Sequence, residues 1–232
     1  WSSDVCSSDL NGAEKGKRKK EKGRAPRFPS FRFSPFLFPF SIFHFPFSPY
    51  ADLAMSPTAH LPATLQHYTP SLPLRLARGG ELMRATVGYQ TWGTLNAARD
   101  NVVWVCHALT ASSDVESWWP GAFGVGRLLD PSRHFIVCAN VLGGCYGSAG
   151  PTSIDPATGA PYGGSFPDLT VGDLVEHQRL LADHLGIAGI ELVVGASMGG
   201  FQVLEWARRD SRARRIALIA TSWRQPKSLF SS

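Results

Sequence analysis

The chain has 232 residues, which is enough for one sizeable core, with 44% hydrophobic residues and a net charge of +5. The charge is uneven, because residues 1–54 hold nine Lys or Arg and five Asp or Glu and so carry most of the excess. The remainder is close to neutral, and we expect no nucleic-acid partner. No apolar run reaches the roughly eighteen residues that a membrane span needs, so we expect no membrane partner either.

Residues 1–54 differ in composition from the rest of the chain. Nine of the fourteen Phe lie between Phe28 and Phe47, where prolines interrupt any helical or strand period. An export signal is one alternative, but prolines break its apolar part and no small-residue cleavage site comes after it. We expect residues 1–54 to be disordered and to be non-native or upstream sequence, with Met55 as the start and 55–232 as the N-terminal part of a domain.

The four cysteines are Cys6, Cys106, Cys138 and Cys145, and none has Cys-x-x-Cys spacing. Cys106 and Cys138 lie in apolar, strand-like runs, where a free thiol acts as a small hydrophobe. This pattern favours a reducing compartment over a disulfide framework. We therefore expect a cytoplasmic protein.

After Met55, predicted strands alternate with predicted helices. A loosely alternating strand is predicted over 81–90, after a Gly-Gly turn. A helix is predicted from an N-cap at Thr170 to a C-cap glycine at Gly186. Short apolar runs rich in β-branched residues are typical of parallel strands buried on both faces; they cover 102–106, 135–139, 190–194 and 215–220. The alternation predicts an α/β fold with a doubly wound, mostly parallel sheet.

The most informative motif is Gly195-Ala-Ser197-Met-Gly199, which lies after the apolar run 190–194 and before a helical pattern. A serine nucleophile needs exposure and a base within reach. A sharp turn from strand to helix exposes Ser197 at the carboxyl edge of the sheet, and small residues suit the tight turn. The alternative is a Gly-rich turn that happens to carry a serine. The flanking strand and helix favour Ser197 as a nucleophile.

Acyl transfer by a serine also needs N–H donors for the oxyanion. In a Gly-x-Ser-x-Gly elbow, one donor is the residue after the nucleophile, here Met198, and the other lies in the loop after an earlier strand. That loop is His107–Thr110. In proteins with this kind of elbow the base comes after the nucleophile in the chain. We therefore interpret His107 as a structural hydrogen-bonding residue rather than the general base.

Further motifs occur in order between Tyr89 and Ala220. They are Tyr89-Gln-Thr-Trp-Gly93, His107-Ala-Leu-Thr110, Trp118-Trp-Pro-Gly121, Asn140-Val-Leu-Gly-Gly-Cys-Tyr-Gly-Ser-Ala-Gly-Pro151, Asp155-Pro-Ala-Thr-Gly-Ala-Pro-Tyr162, Phe166-Pro167, and Gly195-Ala-Ser-Met-Gly-Gly200 with Leu204-Glu-Trp206 after it. This set resembles the homoserine O-acetyltransferase family. The Gly-Ser-x-Gly-Pro loop together with the Ser-Met-Gly-Gly elbow is far more specific than the elbow alone.

The resemblance implies an α/β-hydrolase fold in which Ser197 is the nucleophile and the N–H groups of Leu109 and Met198 form the oxyanion hole. It implies transfer of an acetyl group from acetyl-CoA to the hydroxyl of L-homoserine through an acyl-serine, in methionine biosynthesis. It also implies no metal and no cofactor beyond acetyl-CoA as co-substrate. Homoserine and acyl-CoA are then the small-molecule partners, and the complete protein is expected to be a homodimer.

The chain departs from the family after Ser197, where 35 residues contain one Asp, Asp210, and no His. The triad acid and base come after the nucleophile in this fold, so we expect both to be absent here. We expect an N-terminal fragment, truncated after the strand that follows the nucleophile helix, without the lid and the C-terminal strands. Such a fragment would be nearly inactive by itself.

Three alternatives to homoserine acetyl transfer stay open. The first is a homoserine or serine O-succinyltransferase of the same family. The second is an esterase of the same fold, against which the Asn140–Pro151 loop argues. The third is a non-catalytic binding module that keeps the elbow as a relic.

Overall fold

A computed structural model describes residues 64–222. The predictions for residues 1–54 and for the segment after 222 lie outside the described residues. The strands are β1 (Gln66–Tyr68), β2 (Leu74–Arg75), β3 (Glu81–Leu82), β4 (Val87–Trp92), β5 (Val102–Cys106), β6 (Phe135–Ala139), β7 (Ile190–Ala196) and β8 (Ile216–Ile219). The helices are α1 (Val115–Trp118), α2 (Val171–His184) and α3 (Met198–Arg209), with a 3₁₀ turn at Gly163–Ser165.

Six strands form one sheet in the order β1-β4-β6-β5-β7-β8, and β2 pairs with β3 in a separate antiparallel ribbon. β5 pairs in parallel with both β6 and β7, and β7 pairs in parallel with β8. β4 runs antiparallel to β6 and to β1. The predicted α/β class with a mostly parallel sheet is therefore confirmed. Because β5 and β7 are neighbours, their carboxyl ends meet at one edge of the sheet.

The strand predicted over 81–90 is two strands, so this prediction was wrong in its extent. Arg84 has a φ of 53°, which lies in the left-handed region and breaks the extended backbone. The Thr86 N–H donates to the Arg84 carbonyl at 2.7 Å and closes a tight turn. β3 therefore pairs with β2, whereas β4 enters the main sheet.

Helices α2 and α3 pack on one face of the sheet. Their buried side chains, such as Leu181 and Trp206, contact Trp104 and Val193 of the strands. The other face is covered by α1 and the loop after it, where Phe123 joins an apolar cluster. The long helices thus lie on a single side, next to the elbow between β7 and α3.

The predicted ends of α2 are confirmed. The Thr170 hydroxyl accepts a hydrogen bond from the Asp173 N–H at 3.2 Å, and the Asp173 carboxylate accepts from the Thr170 N–H at 2.7 Å. This reciprocal pair satisfies two N–H groups that lack partners within the helix. Gly186, just after the C-cap residue, has a φ of 66°, which a glycine adopts without steric cost.

The buried cysteines lie where the apolar runs place them. Cys106 in β5 and Cys138 in β6 are buried free thiols, and Cys145 is an exposed one. The longest helix among the described residues, α2, has 14 residues. Within residues 64–222, no helix is both long and apolar enough to cross a bilayer.

Candidate active site

Ser197 lies at a strained turn between β7 and α3. Its φ is 53° and its ψ is −120°, a conformation that costs a non-glycine residue on the order of 1–3 kcal/mol. The turn is held by two hydrogen bonds: the Ser197 N–H donates to the Ile219 carbonyl at 3.0 Å, and its carbonyl accepts from the Gly200 N–H at 3.0 Å. The residue itself is exposed. This is the geometry of a nucleophile elbow.

Glycines allow the elbow to pack directly against the end of β5. A methyl group on Gly195 would stand 2.5 Å from the Gly199 carbonyl oxygen and 2.9 Å from that of Cys106. A methyl group on Gly199 would collide with the Cys106 carbonyl and would lie 3.1 Å from the carbonyl of His107. The first turn of α3 therefore sits in backbone contact with the start of the loop after β5.

This contact brings together the two segments that carry the predicted oxyanion donors. Met198 is the first residue of α3, and Leu109 lies two residues beyond His107, with 71% of its surface exposed. Among residues 64–222, neither the Met198 N–H nor the Leu109 N–H donates to a protein acceptor. Both donors are free for a ligand, and their assignment as an oxyanion hole remains a prediction.

His107 is buried and neutral. Its Nδ1 lies 2.7 Å from the Ala108 carbonyl, so Nδ1 carries the proton and donates, while Nε2 accepts from the Val141 N–H at 3.1 Å. Protonating Nε2 would break the second bond, and burial lowers the pKa of His107. With both nitrogens engaged, the ring ties two loops together and has no free lone pair for Ser197.

The loop 140–151 is anchored by the buried Asn140. Its side-chain oxygen accepts from the Ser113 N–H at 2.6 Å, and its amide donates to the Tyr146 carbonyl at 2.6 Å. The Ser148 hydroxyl donates to the Asn140 carbonyl at 2.6 Å. These bonds hold the loop beside the loop after β5.

Two cavities lie between these loops. One, of about 50 Å³, touches His107 and Leu109. The other, of about 300 Å³, is lined by Leu65, Gln90, Ser112, Ser113, Asn140, Cys145, Tyr146 and Gly147. A larger cavity of about 540 Å³ lies between β2 and the start of α2, away from every predicted site residue. Of these three cavities, the smallest is the one that borders a predicted oxyanion donor, Leu109.

Other potential nucleophiles and acids are unsuited to the site. Burial raises the pKa of the Cys106 and Cys138 thiols, so neither is a thiolate at neutral pH. Asp210 comes directly after the last residue of α3, at the opposite end of that helix from Ser197. Its carboxylate is paired with Arg179 at 2.9 Å and with Arg212 at 2.6 Å. Asp210 is thus part of an ion-pair cluster and not a partner for a catalytic base.

Sequence reasoning missed two buried glutamines, Gln178 in α2 and Gln202 in α3. They hydrogen-bond to each other at 2.6 Å, and Gln202 donates to the His107 carbonyl at 3.3 Å. The only signal in the sequence was Gln178 itself, a polar residue on the face of α2 between Leu174 and Leu181. Within residues 64–222 no cluster of His, Cys, Asp or Glu could hold a metal ion.

A mostly parallel sheet with an exposed serine at a strained strand-to-helix turn defines an α/β protein built around a nucleophile elbow. Residues 101–230 match the family model described as the alpha/beta hydrolase fold. The chain belongs to the α/β hydrolase fold family.

Among individual proteins, the chain is similar to homoserine O-acetyltransferases. The homoserine O-acetyltransferase of Chlorobaculum tepidum is 56% identical over 143 residues, which cover 62% of this chain and 40% of that protein. The solved homoserine O-acetyltransferase from Bacillus anthracis is 30% identical with a TM-score of 0.66, over 71% of this chain and 48% of that one. The resemblance predicted from the motifs is confirmed. The chain spans under half the length of these relatives.

The fold is shared with hydrolases. An acetylester hydrolase from Corynebacterium glutamicum is 29% identical with a TM-score of 0.62, over 71% of this chain and 46% of that one. Backbone similarity alone therefore does not separate acyl transfer to an amino acid from ester hydrolysis. The sequence identity to the Chlorobaculum tepidum homoserine O-acetyltransferase, at 56%, is about twice the identity to this hydrolase.

Proposed function

We propose that the whole protein transfers an acetyl group from acetyl-CoA to the side-chain hydroxyl of L-homoserine, a step in methionine biosynthesis. The observation that carries this proposal is the strained, exposed Ser197 packed against the loop after β5. The identity to homoserine O-acetyltransferases supports the choice of donor and acceptor. We further propose a cytoplasmic homodimer that uses no metal and no prosthetic group.

In the first half-reaction, the Ser197 oxygen attacks the thioester carbonyl carbon while a general base takes the hydroxyl proton. The N–H groups of Leu109 and Met198 would donate to the oxyanion that forms. The C–S bond then breaks, the acetyl group stays on Ser197, and the sulfur leaves with a proton as free CoA. The exposed elbow supports this role because it puts the hydroxyl where an acyl carbonyl can approach.

In the second half-reaction, the homoserine hydroxyl attacks the acetyl-serine carbonyl and loses its proton to the same base. The bond from acetyl to Ser197 breaks, the serine regains a proton, and O-acetylhomoserine leaves. A bound acceptor competes with water because a positioned nucleophile has a large effective molarity.

The general base is proposed to lie in the part of the whole protein that this chain does not span. His107 is unsuitable because both of its ring nitrogens are engaged. Residues 198–232 contain no histidine. The relatives are more than twice as long as the matched region, which leaves room for a base and its acid partner.

The test is CoA release by the whole protein, with acetyl-CoA or succinyl-CoA and with homoserine, serine or no acceptor. We expect release that depends on acetyl-CoA and homoserine together. Ser197→Ala should lower kcat by about 10⁶, as removal of a triad nucleophile does elsewhere. Ser165→Ala, at an exposed serine in the 3₁₀ turn, is the matched control and should retain full activity.

Other outcomes separate the alternatives. Rapid CoA release without any acceptor would favour a hydrolase, and dependence on serine or on succinyl-CoA would favour the sister transferases. Mass spectrometry after incubation with acetyl-CoA should place the acetyl group on the peptide that contains Ser197. Turnover by Ser197→Ala close to that of the unaltered enzyme would exclude Ser197 as the nucleophile.

A further inference from the structure

A buried chain of hydrogen bonds runs from α2 through α3 to the loop after β5. The Gln178 side-chain oxygen accepts from the indole N–H of Trp104 at 3.1 Å and of Trp206 at 2.8 Å. The Gln178 amide donates to the Gln202 side-chain oxygen at 2.6 Å, and the Gln202 amide donates to the His107 carbonyl at 3.3 Å. All five residues are essentially inaccessible to solvent.

The direction of this chain is fixed by chemistry. An indole N–H can only donate, so the oxygen of Gln178 must face Trp104 and Trp206. Its NH₂ group then faces Gln202, which must present its own oxygen to it. That leaves the NH₂ group of Gln202 pointing at the His107 carbonyl, which can only accept. Each step determines the next, and neither amide can flip without leaving buried groups unpaired.

The hydrogen-bond series ends at the candidate site. Gln202 is on α3, the helix whose first residue is Met198, and its amide crosses to the residue that begins the loop carrying Leu109. The two predicted oxyanion donors therefore lie on segments that this one side chain joins. A donor must stand within a few tenths of an ångström of its place to stabilise an oxyanion.

We propose that Gln202 is a positioning residue that sets the spacing between the two N–H groups of the oxyanion hole, with Gln178 acting through it. This inference rests on the proposed function, because the oxyanion hole is part of that proposal. It assigns no chemical step to Gln202 itself. The alternative is a purely structural role, in which the buried pair of amides only joins α2 to α3. Loss of a packing role would lower stability without a selective loss of the chemical step.

The test compares Gln202→Met with Asp210→Asn in the whole protein. Methionine keeps the length and helical preference of glutamine but donates no hydrogen bond. Asp210→Asn weakens an ion pair at the far end of the same helix and is the control for lost stability. We expect Gln202→Met to lower kcat by about 10- to 100-fold, as a small misplacement of catalytic groups does. The KM for acetyl-CoA should change by less than about twofold, because uniform substrate binding is retained.

Asp210→Asn should leave kcat within about twofold while the melting temperature falls. A second readout is a boronic acid that forms a tetrahedral adduct with Ser197 and occupies the oxyanion hole. Its inhibition constant should rise at least tenfold in Gln202→Met and stay unchanged in Asp210→Asn. Equal kcat and equal inhibition constants in the two variants would overturn the proposal.

Gln178→Met completes the test. If Gln178 acts through Gln202, the double variant loses no more kcat than Gln202→Met alone, whereas additive losses would contradict that part of the proposal. The proposed function fails separately: if the unaltered protein neither releases CoA nor acquires an acetyl group on Ser197, the role of Ser197 is wrong whatever the glutamine variants do.

Discussion

Glycines and backbone hydrogen bonds determine the conformation of the backbone around Ser197. Ser197 keeps an unfavourable φ because its own N–H is bonded to the last residue of β8 and its carbonyl to Gly200. The strain persists because Gly199 lets α3 approach until backbone meets backbone at Cys106. The exposed hydroxyl is thus a consequence of contacts made behind it, and changes at those contacts should be felt at the site.

Replacing Gly199 by alanine should therefore destabilise the chain. The added methyl group would collide with the Cys106 carbonyl, which as backbone cannot move aside, so we expect a loss of about 2–3 kcal/mol in the free energy of unfolding. Urea denaturation of the 232-residue chain measures it. Gly121→Ala is the matched control, because a methyl group there meets nothing within 4 Å and should change stability by under about 0.5 kcal/mol. Similar losses in both variants would refute the close-packing argument.

At the scale of elements, α2 is fixed at its first turn by one buried carboxylate. Asp173 accepts from the N–H and the hydroxyl of Thr170, each at 2.7 Å, and from the Ala77 N–H at 2.8 Å. The capping bonds stabilise the helix, and the third bond attaches the segment after β2. A helix begins at this point because a single side chain satisfies donors from both sides of the junction.

We expect Asp173→Ala to cost about 3 kcal/mol, since it removes the cap and leaves buried N–H groups without an acceptor. For a domain of this size, that is a fall of about 10 °C in melting temperature. Asp168→Ala is the control, because Asp168 is an exposed acid whose ion pair with Arg78 is also exposed. It should change the melting temperature by no more than about 2 °C. Equal shifts in the two variants would show that Asp173 acts only through its charge.

The sequence was sufficient for elements whose signals are local. The cap at Thr170, the glycine at Gly186 and the elbow at Ser197 each depend on residues within a few positions, and the structure has all three. The break at Arg84 was missed because a single residue with positive φ leaves no trace in an alternating pattern. The antiparallel placement of β4 between β1 and β6 also escaped prediction, since pairing depends on partners far along the chain.

Within the site, too, local features could be predicted from the sequence and long-range contacts could not. The motif after β7 predicts where Ser197 lies. The Gln178–Gln202–His107 chain joins residues more than twenty positions apart and obeys no periodic rule. A buried polar residue is visible in sequence only as an exception on an apolar face, and the partner that satisfies it is visible only in the fold.

At the scale of the whole molecule, one buried histidine makes stability depend on pH. His177 is inaccessible, and its Nε2 donates to the carbonyls of Ala85 and Thr86, each at 3.1 Å. Its Nδ1 is buried without a partner among the described residues, so a proton there would have no acceptor. Burial lowers the pKa of His177 to about 4, against 6.5 for the unperturbed side chain.

The sign of the effect comes from proton counting. Between pH 6.5 and 4 the unfolded chain carries a proton on His177 and the folded chain does not, so acid favours unfolding. Stability is fully present above pH 6.5 and is lost progressively down to pH 4, by about 3 kcal/mol in all. The lowered pKa of His107 acts in the same direction. The lowered pKa of Asp210 also contributes stability, which is lost only as the pH falls below the ordinary pKa of a carboxyl group.

His177→Gln should flatten this dependence, because the amide keeps a donor for the two carbonyls and does not titrate. Urea denaturation at about pH 7.5, 6, 5 and 4 should show the unaltered chain losing about 3 kcal/mol more than the variant over that range. Leu181→Ala, on the same helix, is the control: a cavity costs about 2–5 kcal/mol, equally at every pH, and leaves the slope unchanged. If His177→Gln and the unaltered chain lose stability in parallel as the pH falls, the buried imidazole is not the source, and the acid sensitivity must come from other groups.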